Sequence, residues 1–315
     1  VSYQKSKGCK VNNYRKKCDV RDIFAELKHQ YNSFSKSHKK IALYIMRNFE
    51  KVPDMSAMQV ARAVHVSEAT VVRFAIFLGY EGYPEFRKFL KDEMNSKLTT
   101  VERIDLTMGD DEKALLMKDS AKHMLKSDIE SVKDTLANFD EETFEHCVGL
   151  IAEARKVIII GFRTTSLLTE YLGYYLGLVL DDVRIVNHGV TDFYEHLIKI
   201  GENDVVIAIS FPRYAKKTME AVEFLKDRGP KIIVISDNNH APINQYADYT
   251  LLAKSNAYAF VDSLVAPLSM IDALVVAIGL KNVAKTKKTF KDLEEIWKEN
   301  YVYTGDELER DLWSE

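Results

Sequence analysis

Cysteine is scarce in this chain: Cys9, Cys18 and Cys147 are the three among 315 residues, too few and too widely spaced for a disulfide framework. That usage fits a reducing compartment, and a cytoplasmic location is expected. No run approaches the ~18 consecutive apolar residues of a membrane helix, so no membrane partner is expected. Basic residues near the start (Lys5, Lys7, Lys10) have no apolar run behind them, unlike a secretory signal. The catalytic signatures H-E-x-x-H, C-x-x-C and G-x-x-x-x-G-K-[ST] are all missing. His146 and Cys147, as neighbours on a helix, point different ways and do not make a metal pair. Neither a metal nor another cofactor is expected.

What is present is the mix of a soluble globular protein, 46% hydrophobic and 29% charged, at a length that favours two domains. The net charge of -3 hides an asymmetry. Residues 1–100 carry 19 Lys and Arg against 10 Asp and Glu, whereas the remaining 215 carry 25 against 37. A basic piece fused to an acidic one suggests that only the first meets a polyanion such as DNA.

Residues 1–18 read as a disordered basic extension. From 19 to 98 the apolar residues recur at helical steps (Ile23, Leu27; Ile41, Ile45, Phe49), which predicts an all-helical domain. Residues 99–110 read as a linker. Two amphipathic helices are predicted near 111–139 and 141–154, the first with Leu115, Leu116, Met124, Leu125, Ile129, Val132 and Leu136 on a recurring face. At Lys156 the pattern changes to short Val- and Ile-rich runs, each followed by polar residues and then a helical stretch. Runs at 157–160, 205–210 and 232–236, with weaker ones at 184–186 and 249–252, predict a parallel sheet of about five strands with helices on both faces. This α/β domain is expected over 111–285. An apolar helix at 261–280 and a helical tail over 286–315 complete the prediction.

The most informative stretch of the first domain is Ser56–Tyr80. Met58, Val60 and Ala61 give a short helix an apolar face, Ala63, Val64 and Val66 pack a turn, and Ser67 caps a second helix. Two short helices across a tight turn form a helix-turn-helix, whose second helix offers its N-terminal residues to the major groove. Ser67, Glu68, Ala69, Thr70 and Arg73 then face DNA, with Arg62 and other basic residues on the backbone, while Val71, Val72 and Phe74 enter the core. Val66–Phe74 (VSEATVVRF) and Leu78–Arg87 (LGYEGYPEFR) resemble, in order and spacing, the helix-turn-helix of RpiR-type transcriptional regulators. The family often has basic residues after the Arg-Phe pair, where this chain has Ala75, Ile76 and Phe77.

In the second domain the first predicted strand ends in Gly161, Phe162, Arg163, Thr164, Thr165 and Ser166, and a helix follows. Such a loop offers free N–H groups, hydroxyls and a guanidinium to a phosphate. With a single glycine it does not fit the three-glycine dinucleotide fingerprint. A second loop, Ser210 to Glu220, places Arg213, Tyr214, Lys216 and Thr218 at the same sheet edge. These features, with Asp204–Ser210 (DVVIAIS), Ala247-Asp248 and Ile271–Leu274, resemble the sugar isomerase (SIS) domain that RpiR-type regulators use as a sensor. The resemblance implies a phosphorylated sugar ligand held by both loops, although Ser210, Thr218 and Glu220 align with the family's phosphosugar loop only across the insertion Phe211-Pro212-Arg213-Tyr214. Two arginines, Arg163 and Arg213, are more than one phosphate requires and point to a second anionic group.

The expected partners are therefore operator DNA, a phosphorylated sugar and further copies of the chain, as a dimer or dimer of dimers. The alternative is an aldose–ketose phosphosugar isomerase. It requires a base near the sugar, for which Glu170, Glu195, His188, His196 and Asp262 are the candidates by position. None is well placed by the pattern, and no catalytic role is expected.

Overall fold

The computed structural model describes Ile23 and residues 27–28, 30–49, 51–97, 99–107, 113–187 and 193–303. The extension predicted over 1–18, His188 and residues 304–315 lie outside these.

The N-terminal unit is helical, with α1 (Lys36–Arg47), α2 (Ala57–Val64), α3 (Glu68–Phe77) and α4 (Tyr83–Lys97). Their apolar faces enclose one core in which Ile23, Leu27, Ile41, Ile45, Phe74, Phe86 and Leu90 are fully buried. Phe74 sits at its centre, edge-on to Phe34 at 5.5 Å and to Phe86 at 6.2 Å. Ser56 starts α2 with a reciprocal cap: Gln59 N donates to its hydroxyl and Ser56 N donates to the Gln59 side chain. The buried face of α2 runs Ala57, Val60, Ala61, Val64. Met58 and Ala63, expected to pack, lie off that 3.6-residue stripe and are exposed.

Within the segment expected as a linker, the described residues form a helix, α5 (Thr100–Thr107). Thr99 and Glu102 begin it: Glu102 N donates to Thr99 Oγ1 at 3.2 Å and Thr99 N donates to Glu102 Oε2 at 2.7 Å. The Thr99 backbone N–H, and after it the Thr99 hydroxyl, hold the Glu102 carboxyl below its ordinary pKa. The two predicted helices follow as α6 (Lys113–Ala137) and α7 (Glu141–Glu153), with Asp140 capping the latter through Thr143 N at 3.1 Å. The apolar face expected on α6 is outward: Leu125, Ile129 and Leu136 are exposed, while Ser131 is buried. The side chains of Leu115 and Leu116 lie outside those described.

Then come β1 (Lys156–Ile160), α8 (Ser166–Val179), β2 (Val183–Val186), α9 (Phe193–Leu197), β3 (Asp204–Ile209), α10 (Lys216–Lys226), β4 (Lys231–Ser236) and β5 (Tyr249–Leu252). All five predicted strands are present and parallel, in the order β2-β1-β3-β4-β5. The central strands β1 and β3 are buried along their whole length, which is why they read as unbroken apolar runs. Val157, Ile159, Val205 and Ile207 face α7, α8 and a later helix, while Ile158, Ile160, Val206 and Ala208 face α9 and α10. The order in which strands are added reverses between β1 and β3, and in an open parallel sheet the crevice at that switch point receives ligands.

The helix predicted at 261–280 is two elements: a hairpin of β6 (Ala257–Tyr258) with β7 (Val261–Asp262), then α11 (Val265–Lys281). The tail boundary expected at 286 falls inside α12 (Val283–Glu299), which packs Phe290 on the sheet's helical layer and anchors Thr286 Oγ1 to the Gly279 carbonyl at 2.8 Å.

Candidate functional site

Ser67 caps α3 as predicted: it accepts from Thr70 N at 3.2 Å, and the hydroxyls of Ser67 and Thr70 lie 2.7 Å apart. Glu68, Ala69 and Arg73 are exposed along the start of the helix, as is Arg62 on α2, while Val71 and Phe74 turn into the core. Val72 is only partly buried. Of the polar residues expected on the outer face, Thr70 is half-buried because its hydroxyl bonds back to the cap. His38 joins this face without any signal in the sequence. Its ring packs edge-on to Phe74 and Phe77 at 5.3 and 5.5 Å, and burial, then the charge of Arg73, lower its pKa.

The second cluster lies where β1 and β3 end. A Cβ at Gly161 would stand 2.7 Å from Thr169 Cγ2 and 3.3 Å from the Ile209 carbonyl oxygen, so glycine lets the β1 loop close against α8 and β3. Arg163 and Thr164 are exposed at its tip. Thr165 and Ser166 are buried, and their hydroxyls donate to the Phe162 and Arg163 carbonyls at 2.9 and 2.6 Å. As donors they hold the loop's shape, a different role from the ligand contacts expected of them.

The β3 loop has another character. Ser210 Oγ and Thr218 Oγ1 are buried with no hydrogen-bond partner among the described residues. Arg213 reaches Thr100 Oγ1 on α5 at 2.5 Å. The Tyr214 hydroxyl donates to Asp237 Oδ1 at 3.1 Å at the end of β4, beside a cavity of about 410 Å³ also lined by Tyr80, Phe89 and His240. Lys216 is exposed and pairs with Glu220 at 3.2 Å. Lys217, not foreseen from the sequence, lies over the Phe162 ring at 5.8 Å and so joins the two loops. The loops therefore share one edge, while the side chains of Arg213 and Tyr214 are directed to α5 and to β4.

Two of the groups weighed as bases, Glu170 and Asp262, have partners, and Glu195 and His196 are exposed on α9. Asn187 Nδ2 donates to Glu170 Oε1 at 2.6 Å, and Arg103 of α5 pairs with Asp262 of β7 at 2.6 Å. His146 stacks on Tyr249 at 4.8 Å, and burial pushes the Cys147 thiol up to about 12. Among the described residues no three His, Cys, Asp or Glu side chains gather as a metal would need.

Two family models match this chain: the helix-turn-helix domain of the rpiR family over residues 22–97, and the SIS domain over residues 150–277. An HTH-type transcriptional regulator of Clostridium perfringens is 26% identical over 260 residues, covering 80% of this chain and 90% of the relative. One from Caldanaerobacter subterraneus is 23% identical over 282 residues, 87% of this chain and 96% of its own. Among solved structures, Vibrio vulnificus NanR complexed with ManNAc-6P superposes with a TM-score of 0.53 at 22% identity, over 88% of this chain and 98% of NanR. The sugar isomerase domain of an RpiR transcription factor from Sphaerobacter thermophilus gives 0.54 at 21%, over 56% of this chain and 99% of that one.

Proposed function

Because the chain belongs to the RpiR-type transcriptional regulators, an rpiR-family helix-turn-helix joined to a SIS domain, we propose that its β1 and β3 loops bind a phosphorylated sugar or related anionic metabolite and that this binding alters its hold on operator DNA. One observation carries the proposal. Arg213 of the β3 loop and Asp262 of β7 both grip α5, the helix that follows the DNA-binding unit, through Thr100 and Arg103. A ligand that recruits Arg213 withdraws it from Thr100, which gives the effector a differential affinity for two arrangements of α5; without such a difference it regulates nothing.

Three features support the reading. The site lies at the switch point of the sheet. The unpartnered Ser210 and Thr218 hydroxyls are the kind of buried polar group that a ligand would satisfy. NanR, a structural relative, is complexed with a sugar phosphate. The ligand-binding set is Gly161, Arg163, Thr164, Thr165 and Ser166, with Ser210, Arg213, Tyr214, Lys216 and Thr218. The DNA-binding set is Arg62, Ser67, Glu68, Ala69, Thr70 and Arg73. The protein works as a cytoplasmic homo-oligomer on two-fold DNA sites. Asp262 is held by Arg103 where the isomerase alternative would need a free base.

Two measurements test the proposal. In thermal shift against hexose and pentose phosphates, a specific ligand raises the melting temperature by mass action. With genomic fragments selected by the protein, Arg73→Ala weakens anisotropy-measured binding by about 1–3 kcal/mol and leaves the sugar-phosphate shift intact. No melting shift with any phosphate, or sustained aldose–ketose conversion seen by NMR, would overturn it.

A further inference from the structure

The cavity of about 410 Å³ beside Tyr214 is walled by both domains. Tyr80 and Phe89 reach it from the core of the helix-turn-helix unit, and the loop after β4 brings Asp237, Asn238 and His240 from the sheet edge. That loop is tied down within the SIS domain. Asp237 is buried and accepts from the Tyr214 and Ser236 hydroxyls at 3.1 and 3.3 Å and from Asn238 Nδ2 at 2.7 Å, and His240 N donates to Asn238 Oδ1 at 2.7 Å. The same loop packs on the other unit: the His240 ring stands edge-on to Phe89 at 5.0 Å and lies 6.0 Å from Tyr80. Clefts between domains are favoured places for small ligands, and this one has the volume to take one.

The lining selects the molecule. Among the described residues, Glu81, Glu85, Asp134 and Asp237 line the cavity against Lys88 and Lys254. That excess of negative charge repels a phosphate and attracts a cation. An ammonium is drawn both to carboxylates and to aromatic rings, which Tyr80 and Phe89 supply. Asn138, Asn238 and Asn239 add side-chain amides, each donor and acceptor at once, as sugar hydroxyls require. We infer that this cavity binds a compact amino sugar that carries no phosphate, its ammonium toward the carboxylates and its hydroxyls toward the amides. This ligand is separate from the phosphorylated effector of the β1 and β3 loops, and the two sites meet at Tyr214. Its use rests on the regulator reading: a molecule held by both units favours the arrangement in which they are joined, and so shifts the affinity for DNA.

The test is calorimetry of the full chain with glucosamine, at a pH where its amine is charged, beside glucose, N-acetylglucosamine and putrescine. Glucosamine is expected to bind about tenfold tighter than any of the other three, which lack either the charge or the hydroxyls. Glu85→Gln with Asp134→Asn weakens glucosamine binding by about tenfold, with circular dichroism checking the fold. Lys88→Glu, at an exposed position, adds a carboxylate to the wall and tightens binding several-fold. No heat with glucosamine, equal affinity for glucose or putrescine, or an affinity that neither variant changes would each overturn the inference. Thermal shift with sugar phosphates on the same sample separates the two claims. Glucosamine binding in a protein that no sugar phosphate stabilises keeps the cavity site and removes the phosphosugar reading; the reverse result removes the cavity site alone.

Discussion

Arg163 and Arg213 hold matching places in the fold. Each sits in the loop after a buried parallel strand, and each has left-handed backbone, with φ of 64° and 67°. That conformation costs a non-glycine residue about 1–3 kcal/mol, so in both loops the surroundings enforce it. Beyond the backbone they diverge. The β1 loop is closed on itself by the Thr165 and Ser166 hydroxyls, and Gly161 lets it seat on α8. The β3 loop sends Arg213 out to Thr100 and Tyr214 to Asp237. One loop is made to keep a shape, and the other is wired to its neighbours. A ligand touching both is therefore fixed by the first and felt through the second.

The largest effect that tests this contrast comes from the arginines themselves. Lysine keeps the charge but loses the bidentate fork. Arg163→Lys and Arg213→Lys are each expected to weaken effector binding by roughly 1.5–3 kcal/mol, read by calorimetry. Only Arg213→Lys should also change DNA affinity when no effector is present. If the two arginines hold different anionic groups, an analogue lacking one group becomes insensitive to one substitution alone; equal sensitivity to both would mean that they share a phosphate.

Next is the closed loop. Gly161→Val pushes a side chain against Thr169 and the Ile209 carbonyl, and a loss of about 1–3 kcal/mol is expected in urea unfolding. A neutral result would mean that the β1 loop has slack and is not a fixed cradle.

Thr100→Val tests the wired loop from its far end. Losing one hydrogen bond at a partly exposed site is worth at most about 0.5–1.5 kcal/mol. The change should appear in DNA affinity without effector, because Thr100 lies on α5, outside the two loops. Equal DNA affinities for wild type and variant would break the link between Arg213 and α5.

The smallest effect is a contrast between the domains in pH. His38 has a lowered pKa in the folded state, so its neutral form is the one the fold favours. Stability from this group is complete above the unfolded value near 6.5 and falls as pH drops through the lowered folded value. Unfolding of the helical unit, followed by its own probe, should become easier with acid across that window, and His38→Phe should flatten the slope. An unchanged slope would show that His38 is not the titrating group.

The sequence revealed those parts of the molecule that local rules decide. The Val and Ile runs became β1, β3 and β4 because those strands are buried on both faces, and Ser67 became a cap because nothing farther than Thr70 is involved. Of two further elements, one carries a local signal and the other carries none. Thr99 and Glu102 stand at capping spacing, yet 99–110 read as a linker; the hairpin 257–262 is too short to show alternation. Other features had no local signal. Thr100 lies 113 residues from Arg213 in the chain, and Asp262 lies 159 from Arg103. Periodicity in α6 marked an apolar face but not the direction in which it turns. The polar contacts of Asp128, Ser131 and Thr135 turned that face outward.

The central claim is that the sheet edge speaks to the DNA-binding unit through α5. Its most direct measurement is the affinity for a selected DNA fragment, by anisotropy at fixed salt, with and without the sugar phosphate that gives the largest melting shift. The account predicts that this compound changes wild-type affinity several-fold and that the ratio falls toward one in Thr100→Val combined with Arg103→Met, while calorimetry still shows the compound binding. A ratio preserved in that double variant would contradict it.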